Sequence, residues 1–150
     1  MIRVVLDANV FASGALGYAR QDSTPGAILR ALEERRFSVV VSEHLVEETE
    51  RTLASPYFAQ RVLPEVNTVA LRLLREFATH TELTTVVTDV ASHPEDGPVL
   101  ATAVSGKADF LVTGDRMLQR LGSYEGVAIV SPRDFLTLLD RREQDDAVVP

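Results

Sequence analysis

The sequence predicts an α/β fold of three layers, with helices on both faces of a central, mainly parallel sheet. Two observations predict it. Short apolar runs at residues 2–6, 37–41, 108–113 and 127–130 alternate with stretches whose apolar residues recur at helical spacing, and strands that alternate with helices pair in parallel. The runs are also almost continuously apolar, as in strands covered on both faces. The chain has 150 residues, 45% of them hydrophobic and 25% charged, which is the size and composition of one domain with a single core.

The elements follow in order. Ile2-Arg3-Val4-Val5-Leu6 is bounded by Asp7-Ala8-Asn9, which predicts a buried strand with Asp7 at its carboxyl end. Residues 13–22, with their glycines and polar side chains, read as a loop. Thr24-Pro25 then supplies an N-cap with proline at the first helical position for a helix through Arg35. Residues 37–41 form a second strand. Ser42 caps the next helix, in which Leu45, Val46, Thr49 and Leu53 share a face until Ser55-Pro56 stops it. A third helix begins near Pro64, with Val66, Val69, Ala70, Leu73, Leu74 and Phe77 as one stripe. Residues 83–87 read as a further strand. Ser92-His93-Pro94-Glu95-Asp96-Gly97 is turn-like and leads into a helix over residues 99–104 with Asp96 near its cap. Residues 108–113 are a strand, followed by Gly114-Asp115 and a short helix near residues 117–121. Residues 127–130 are the last strand, and Ser131-Pro132-Arg133-Asp134 opens the last helix with a capping-box pattern. The domain is expected to span residues 1–140, with 141–150 as a frayed polar tail.

Composition excludes several chemistries. No apolar run reaches the roughly 18 to 20 residues of a membrane span, and none follows Met1 as in a signal peptide, so no membrane and a cytoplasmic location are expected. Cysteine is absent, which removes disulfides, thiolate zinc sites and cysteine nucleophiles. With only His44, His80 and His93, a metal here would be held by oxygen. The net charge of -7 argues against non-specific binding along a nucleic-acid backbone, which needs a basic face. It leaves room for a nucleic-acid enzyme whose acids gather at a metal.

Open parallel sheets bind ligands beyond the carboxyl ends of their strands, and there the sequence places carboxylates. Asp7 follows the first strand, Glu48 lies in the helix after the second, Asp96 opens a helix, and Asp115 lies just past a strand. Singly, each has a structural reading: an Asx turn for Asp7, N-caps for Asp96 and Asp115, and a solvated face for Glu48 beside Glu43, Glu47 and Glu50. At about 100° per residue, Glu48 and Glu50 flank the apolar stripe while Glu47 points away. Gathered in one crevice, such like charges need a cation or raised pKa values. Oxygen-only ligands suit Mg²⁺ or Mn²⁺, ions that orient a water, lower its pKa and stabilise charge on a phosphodiester in flight.

Four blocks carry a resemblance. Val5-Leu6-Asp7-Ala8-Asn9-Val10, Val41-Ser42-Glu43 with Glu47-Glu48, Pro94-Glu95-Asp96-Gly97-Pro98-Val99-Leu100-Ala101-Thr102-Ala103, and Ala108-Asp109-Phe110-Leu111-Val112-Thr113-Gly114-Asp115 resemble successive blocks of PIN-domain nucleases. The closest likeness is to bacterial VapC-like toxins of toxin–antitoxin pairs. It runs from Met1 to about Leu139, through Val130-Ser131-Pro132-Arg133-Asp134-Phe135-Leu136. The resemblance implies a PIN-like domain acting as a Mg²⁺-dependent ribonuclease specific for single-stranded RNA. By position, Asp7, Glu48, Asp96 and Asp115 match its metal and catalytic acids, and Asn9 and Thr113 match polar neighbours. His93 stands where relatives often carry another Asp, and Gly97 where an acid is common, which leaves Glu95 as an auxiliary ligand. A homodimer and a small antitoxin that covers or distorts the site are also implied.

Competing readings are weaker. A haloacid-dehalogenase-type phosphotransferase needs a second aspartate two residues after the first, where this chain has Asn9. A response-regulator receiver needs an acidic pair and a late lysine, and the only lysine, Lys107, precedes a strand. Neither a dinucleotide fingerprint nor a P-loop is present. The remaining alternative is a PIN scaffold that binds protein or RNA without cutting, against which the retention of mutually repelling carboxylates argues. Arg20 and Arg116 are candidate phosphate contacts and Tyr18, Tyr57 and Phe58 candidate stacking residues, although arginines are commonly solvated and aromatics commonly pack. His44 and His80 read as surface helix residues.

Overall fold

Adjacent residues of a strand face opposite sides of its sheet, so a strand buried at consecutive positions has both faces covered. That is the case for Val4, Val5 and Leu6, for Val39, Val40 and Val41, and for Leu111 and Val112, none more than 3% exposed. The structure, a computed structural model, describes residues 1–87 and 96–148, without the side chains of residues 96, 147 and 148. The sheet contains β1 (Arg3–Leu6), β2 (Ser38–Val41), β3 (Thr79–His80), β4 (Phe110–Val112), β5 (Ser123–Tyr124) and β6 (Val127–Val130) in the order β3-β2-β1-β4-β6-β5. All pairs are parallel except β5 with β6.

The chain therefore runs outward from β1 to β2 and β3, then crosses back to lay β4 on the other side of β1. Strand order thus reverses at β1 and β4, and open α/β sheets bind ligands in the crevice expected beyond the carboxyl ends of the strands at such a reversal. Helix α6 (Asp96–Ser105) makes the return and packs against β1, β2 and β4. Its first turn lies on the chain before it: a Cβ at Gly97 would sit 2.6 Å from the Val87 carbonyl oxygen. Position 97 thus has no room for a larger side chain unless the backbone shifts.

Other helices follow local signals. Helix α3 (Glu43–Ala54) starts where Ser42 Oγ accepts the Leu45 N–H at 3.2 Å and buries Leu45, Val46, Thr49 and Leu53. It ends at Ser55, after which α4 (Pro56–Ala59) forms a further turn. Helix α5 (Pro64–Arg72) continues into a π turn, Leu73–Phe77. Helix α7 (Arg116–Leu121) follows β4, and α8 (Pro132–Val148) follows β6. Asp134 N–H donates to Ser131 Oγ at 3.1 Å, and Phe135 packs edge-on against Phe37 at 5.2 Å.

Several expectations need correction. Residues 13–22 are not all loop: helix α1 runs Ala8–Leu16, because Val10, Phe11 and Ala15 are buried along it and Gly14 sits in its packed face. A Cβ there would meet Pro25 O at 2.9 Å and Leu29 Cβ at 3.1 Å, so Gly14 lets α1 approach α2 (Thr24–Glu33). The cap of α2 is Ser23, whose Oγ accepts the Gly26 N–H at 3.0 Å, and not Thr24. Residues 83–87 form no strand. The strand in this region is β3, set by pairing Thr79 with Val40 and His80 with Val41, so His80 is a strand residue and not helical. The tail from Arg141 is helical to Val148, and Glu143 pairs with Arg36 at 2.6 Å. The turn expected at 92–95, with His93 and Glu95, lies outside the described residues. Among the described residues no helix is long and apolar enough to cross a membrane.

Candidate active site

Where β1 ends, its ladder continues for one residue, because the Asp7 N–H donates to the Val112 carbonyl at 3.0 Å. The same occurs one strand over, where Thr113 N–H donates to Val130 O at 3.1 Å. These bonds fix Asp7 and Thr113 side by side at the carboxyl ends of β1 and β4. Thr113 is wholly buried, and its hydroxyl donates to Asp7 Oδ2 at 2.8 Å. Asp7 Oδ1 accepts the Ala8 N–H at 2.8 Å, so both carboxylate oxygens are oriented.

Thr113 Oγ1 also accepts the Asp115 N–H at 3.1 Å. Asp115 caps α7: its Oδ1 accepts Met117 N–H at 2.8 Å and Leu118 N–H at 3.3 Å. Gln119 completes the arrangement by donating Nε2–H to the Thr113 carbonyl at 2.7 Å. Asp7, Thr113 and Asp115 are therefore one hydrogen-bonded chain, and Gln119 clamps its middle. Asp115 takes the capping role expected of it singly, and its backbone N–H shares the Thr113 hydroxyl with the Asp7 carboxylate.

Glu48 lies on α3 with its side chain 22% exposed, 3.9 Å from His44 Nε2. Glu47 is exposed, as helix geometry predicts, and Glu50 on the other flank holds Arg75 with bonds of 2.6 and 2.9 Å. The Arg75 guanidinium keeps the Glu50 carboxyl below the usual carboxylate range, against the opposing effect of burial. Asn9 is exposed in the first turn of α1. Asp96 is the first residue of α6, while its side chain, like His93 and Glu95, is outside the described residues.

The structure joins Asp7 and Asp115 through Thr113. Among the described residues no three histidine or carboxylate side chains gather closely enough to hold a metal. The donors that line the crevice are nonetheless oxygens, and Asp115 Oδ2 takes no hydrogen bond among the described residues. This donor chemistry suits a hard divalent cation.

Other candidates lie apart from this chain of bonds. Arg20 is exposed and pairs with Asp22 at 3.5 Å, and Arg116 is exposed on α7. The Tyr18 hydroxyl bonds Glu33, while Tyr57 and Phe58 stack edge-on at 5.0 Å with Arg61 over Tyr57 at 4.2 Å. A groove of about 480 Å³ lies at the opposite, amino-terminal edge of the sheet, beside Met1, Phe37, Ser38 and Phe77. Two contributors escape a sequence reading: Gln119, which has no motif around it, and Thr102, whose hydroxyl lies 2.7 Å from that of Ser42.

Comparison with known proteins gives matches of two kinds. Residues 3–117 match the family model described as PIN domain. The crystal structure of Mycobacterium tuberculosis VapC20, described as a sarcin-ricin-loop-cleaving toxin, superposes with a TM-score of 0.53 at 18% identity, over 81% of this chain and 97% of that one. No curated protein matches the sequence.

Proposed function

Because this chain belongs to the PIN domain family, we propose that it is a metal-dependent endoribonuclease hydrolysing phosphodiester bonds of single-stranded RNA, and the toxin of a toxin–antitoxin pair. The observation that carries the reading is the Asp7–Thr113–Asp115 chain of hydrogen bonds in the crevice where strand order reverses. VapC20, which shares the fold, is described as a sarcin-ricin-loop-cleaving toxin, and that supports the reading of this chain as a toxin that cuts its target.

Asp7, Glu48, Asp96 and Asp115 would hold Mg²⁺ or Mn²⁺, with Asn9 and Glu95 as neighbours. When bound, the cation acidifies water and offsets charge on the phosphodiester. The chain's own contribution is positioning. Asp7 is held in one orientation by the Ala8 N–H and the Thr113 hydroxyl, so it meets the scissile group without first reorganising. Asp115 is fixed by two backbone N–H donors through one oxygen, which leaves the other turned to its surroundings. The remaining parts of the reading are a cytoplasmic homodimer and a small antitoxin that covers the crevice.

The test is incubation of purified protein with end-labelled single-stranded RNA in EDTA, Mg²⁺ or Mn²⁺. Cutting with either metal and none in EDTA is expected. Equal cutting in EDTA contradicts metal dependence, and no cutting under any condition favours a scaffold that binds without cleaving.

A further inference from the structure

Inside the fold, two hydroxyls meet away from solvent. Ser42, 2% exposed, and Thr102, wholly buried, approach to 2.7 Å. Their proton order follows from their neighbours. Thr102 Oγ1 bonds the Pro98 carbonyl at 2.8 Å, and a carbonyl only accepts, so the single threonine proton is committed there. Ser42 must then donate to Thr102, while its own oxygen accepts the Leu45 N–H at 3.2 Å. The result is a one-way chain, Leu45 N–H to Ser42 to Thr102 to Pro98 O, with every member satisfied.

This chain has a definite placement. Ser42 starts α3, the helix bearing Glu48, and Pro98 lies in the first turn of α6, the helix that Asp96 begins. An apolar contact tolerates sliding by a fraction of an ångström, whereas a buried directional bond does not, since an unmatched hydroxyl costs its full desolvation. We infer that Ser42 and Thr102 are positioning residues that lock the Glu48 helix in register with the Asp96 helix, setting the spacing of the acids for a divalent cation. The inference rests on the nuclease reading above.

Thr102→Val tests it, because valine keeps the shape and leaves the α3 cap intact. Mn²⁺ affinity is read by titration calorimetry, alongside thermal melting without metal and cleavage kinetics. The expected result is about tenfold weaker Mn²⁺ binding, the lower end of what loss of a supporting partner does at metal sites, with a fall in kcat at unchanged KM and recovery of both in Thr102→Ser. Should Thr102→Val not fold, Thr102→Ala removes the same hydroxyl without touching the Ser42 cap of α3 and gives the same reading. A folded Thr102→Val that melts lower yet binds Mn²⁺ as tightly as the parent makes the pair merely structural and overturns the inference. A parent that binds no Mn²⁺ overturns the nuclease reading first, and the inference with it.

Discussion

Thr113 donates its only hydroxyl proton to Asp7 Oδ2 at 2.8 Å, across 106 residues of sequence. The carboxyl end of β4 thereby holds the acid at the carboxyl end of β1. The same oxygen accepts the Asp115 N–H, so one buried hydroxyl fixes two candidate acids relative to each other.

Thr113→Val removes both bonds while keeping the shape. A hydrogen bond to a charged group contributes about 1.5–3 kcal/mol, so single-turnover cleavage is expected to fall roughly 10- to 100-fold, with KM little changed. Thr113→Ser should recover most of the rate. A parent-like rate in Thr113→Val would show that Asp7 needs no such support.

Gly97→Ala separates two opposed effects. Helix propensity favours alanine by about 1 kcal/mol, but the added Cβ would meet Val87 O at 2.6 Å. The obstacle is backbone, and overpacking of this kind costs about 1–3 kcal/mol, so a net loss of stability is expected in urea unfolding. A more stable variant would mean that the segment before α6 yields freely.

Glu50→Gln probes the other flank of α3. Arg75 holds the Glu50 carboxyl below its usual range, so the folded pKa lies under the unfolded one. The pair's stabilisation is then present above the ordinary glutamate range and lost as pH falls through the folded value. The variant should melt slightly lower at neutral pH and converge with the parent in acid, the effect being small because the pair is exposed. RNA cleavage should be unchanged, since Glu50 and Glu48 lie on opposite flanks of the helix. Melting curves across pH and a cleavage assay check both halves.

These cases also show what is legible in a single sequence. Continuous apolar runs such as Val4-Val5-Leu6 announce strands covered on both faces, and Asp7 and Asp115 are found by standing at strand ends. Helix α1 is hidden because Gly14 reads as a loop residue, when its reason is the approach of Pro25 and Leu29 from another helix. Strand β3 has no pattern of its own: Thr79 and His80 are exposed and become a strand only by pairing with β2. Thr113 divides in the same way. Its bond to the Asp115 N–H is local and expected of a strand-end hydroxyl, whereas its bond to Asp7 depends on β1 and β4 being neighbours. Ser42 is recognisable as a cap, but nothing near it in sequence points to Thr102.

The account stands most directly on Asp7→Asn, compared with the parent in cleavage of end-labelled single-stranded RNA under Mg²⁺, Mn²⁺ and EDTA. Asparagine caps a helix about as well as aspartate, and its carbonyl oxygen can still accept the Ala8 N–H while its amide faces the Thr113 hydroxyl, so circular dichroism should stay close to the parent and melting should fall only modestly. The predicted result is metal-dependent cutting by the parent and none above the EDTA background by the variant. A folded Asp7→Asn that cuts as fast as the parent would contradict the assignment of this crevice as the active site.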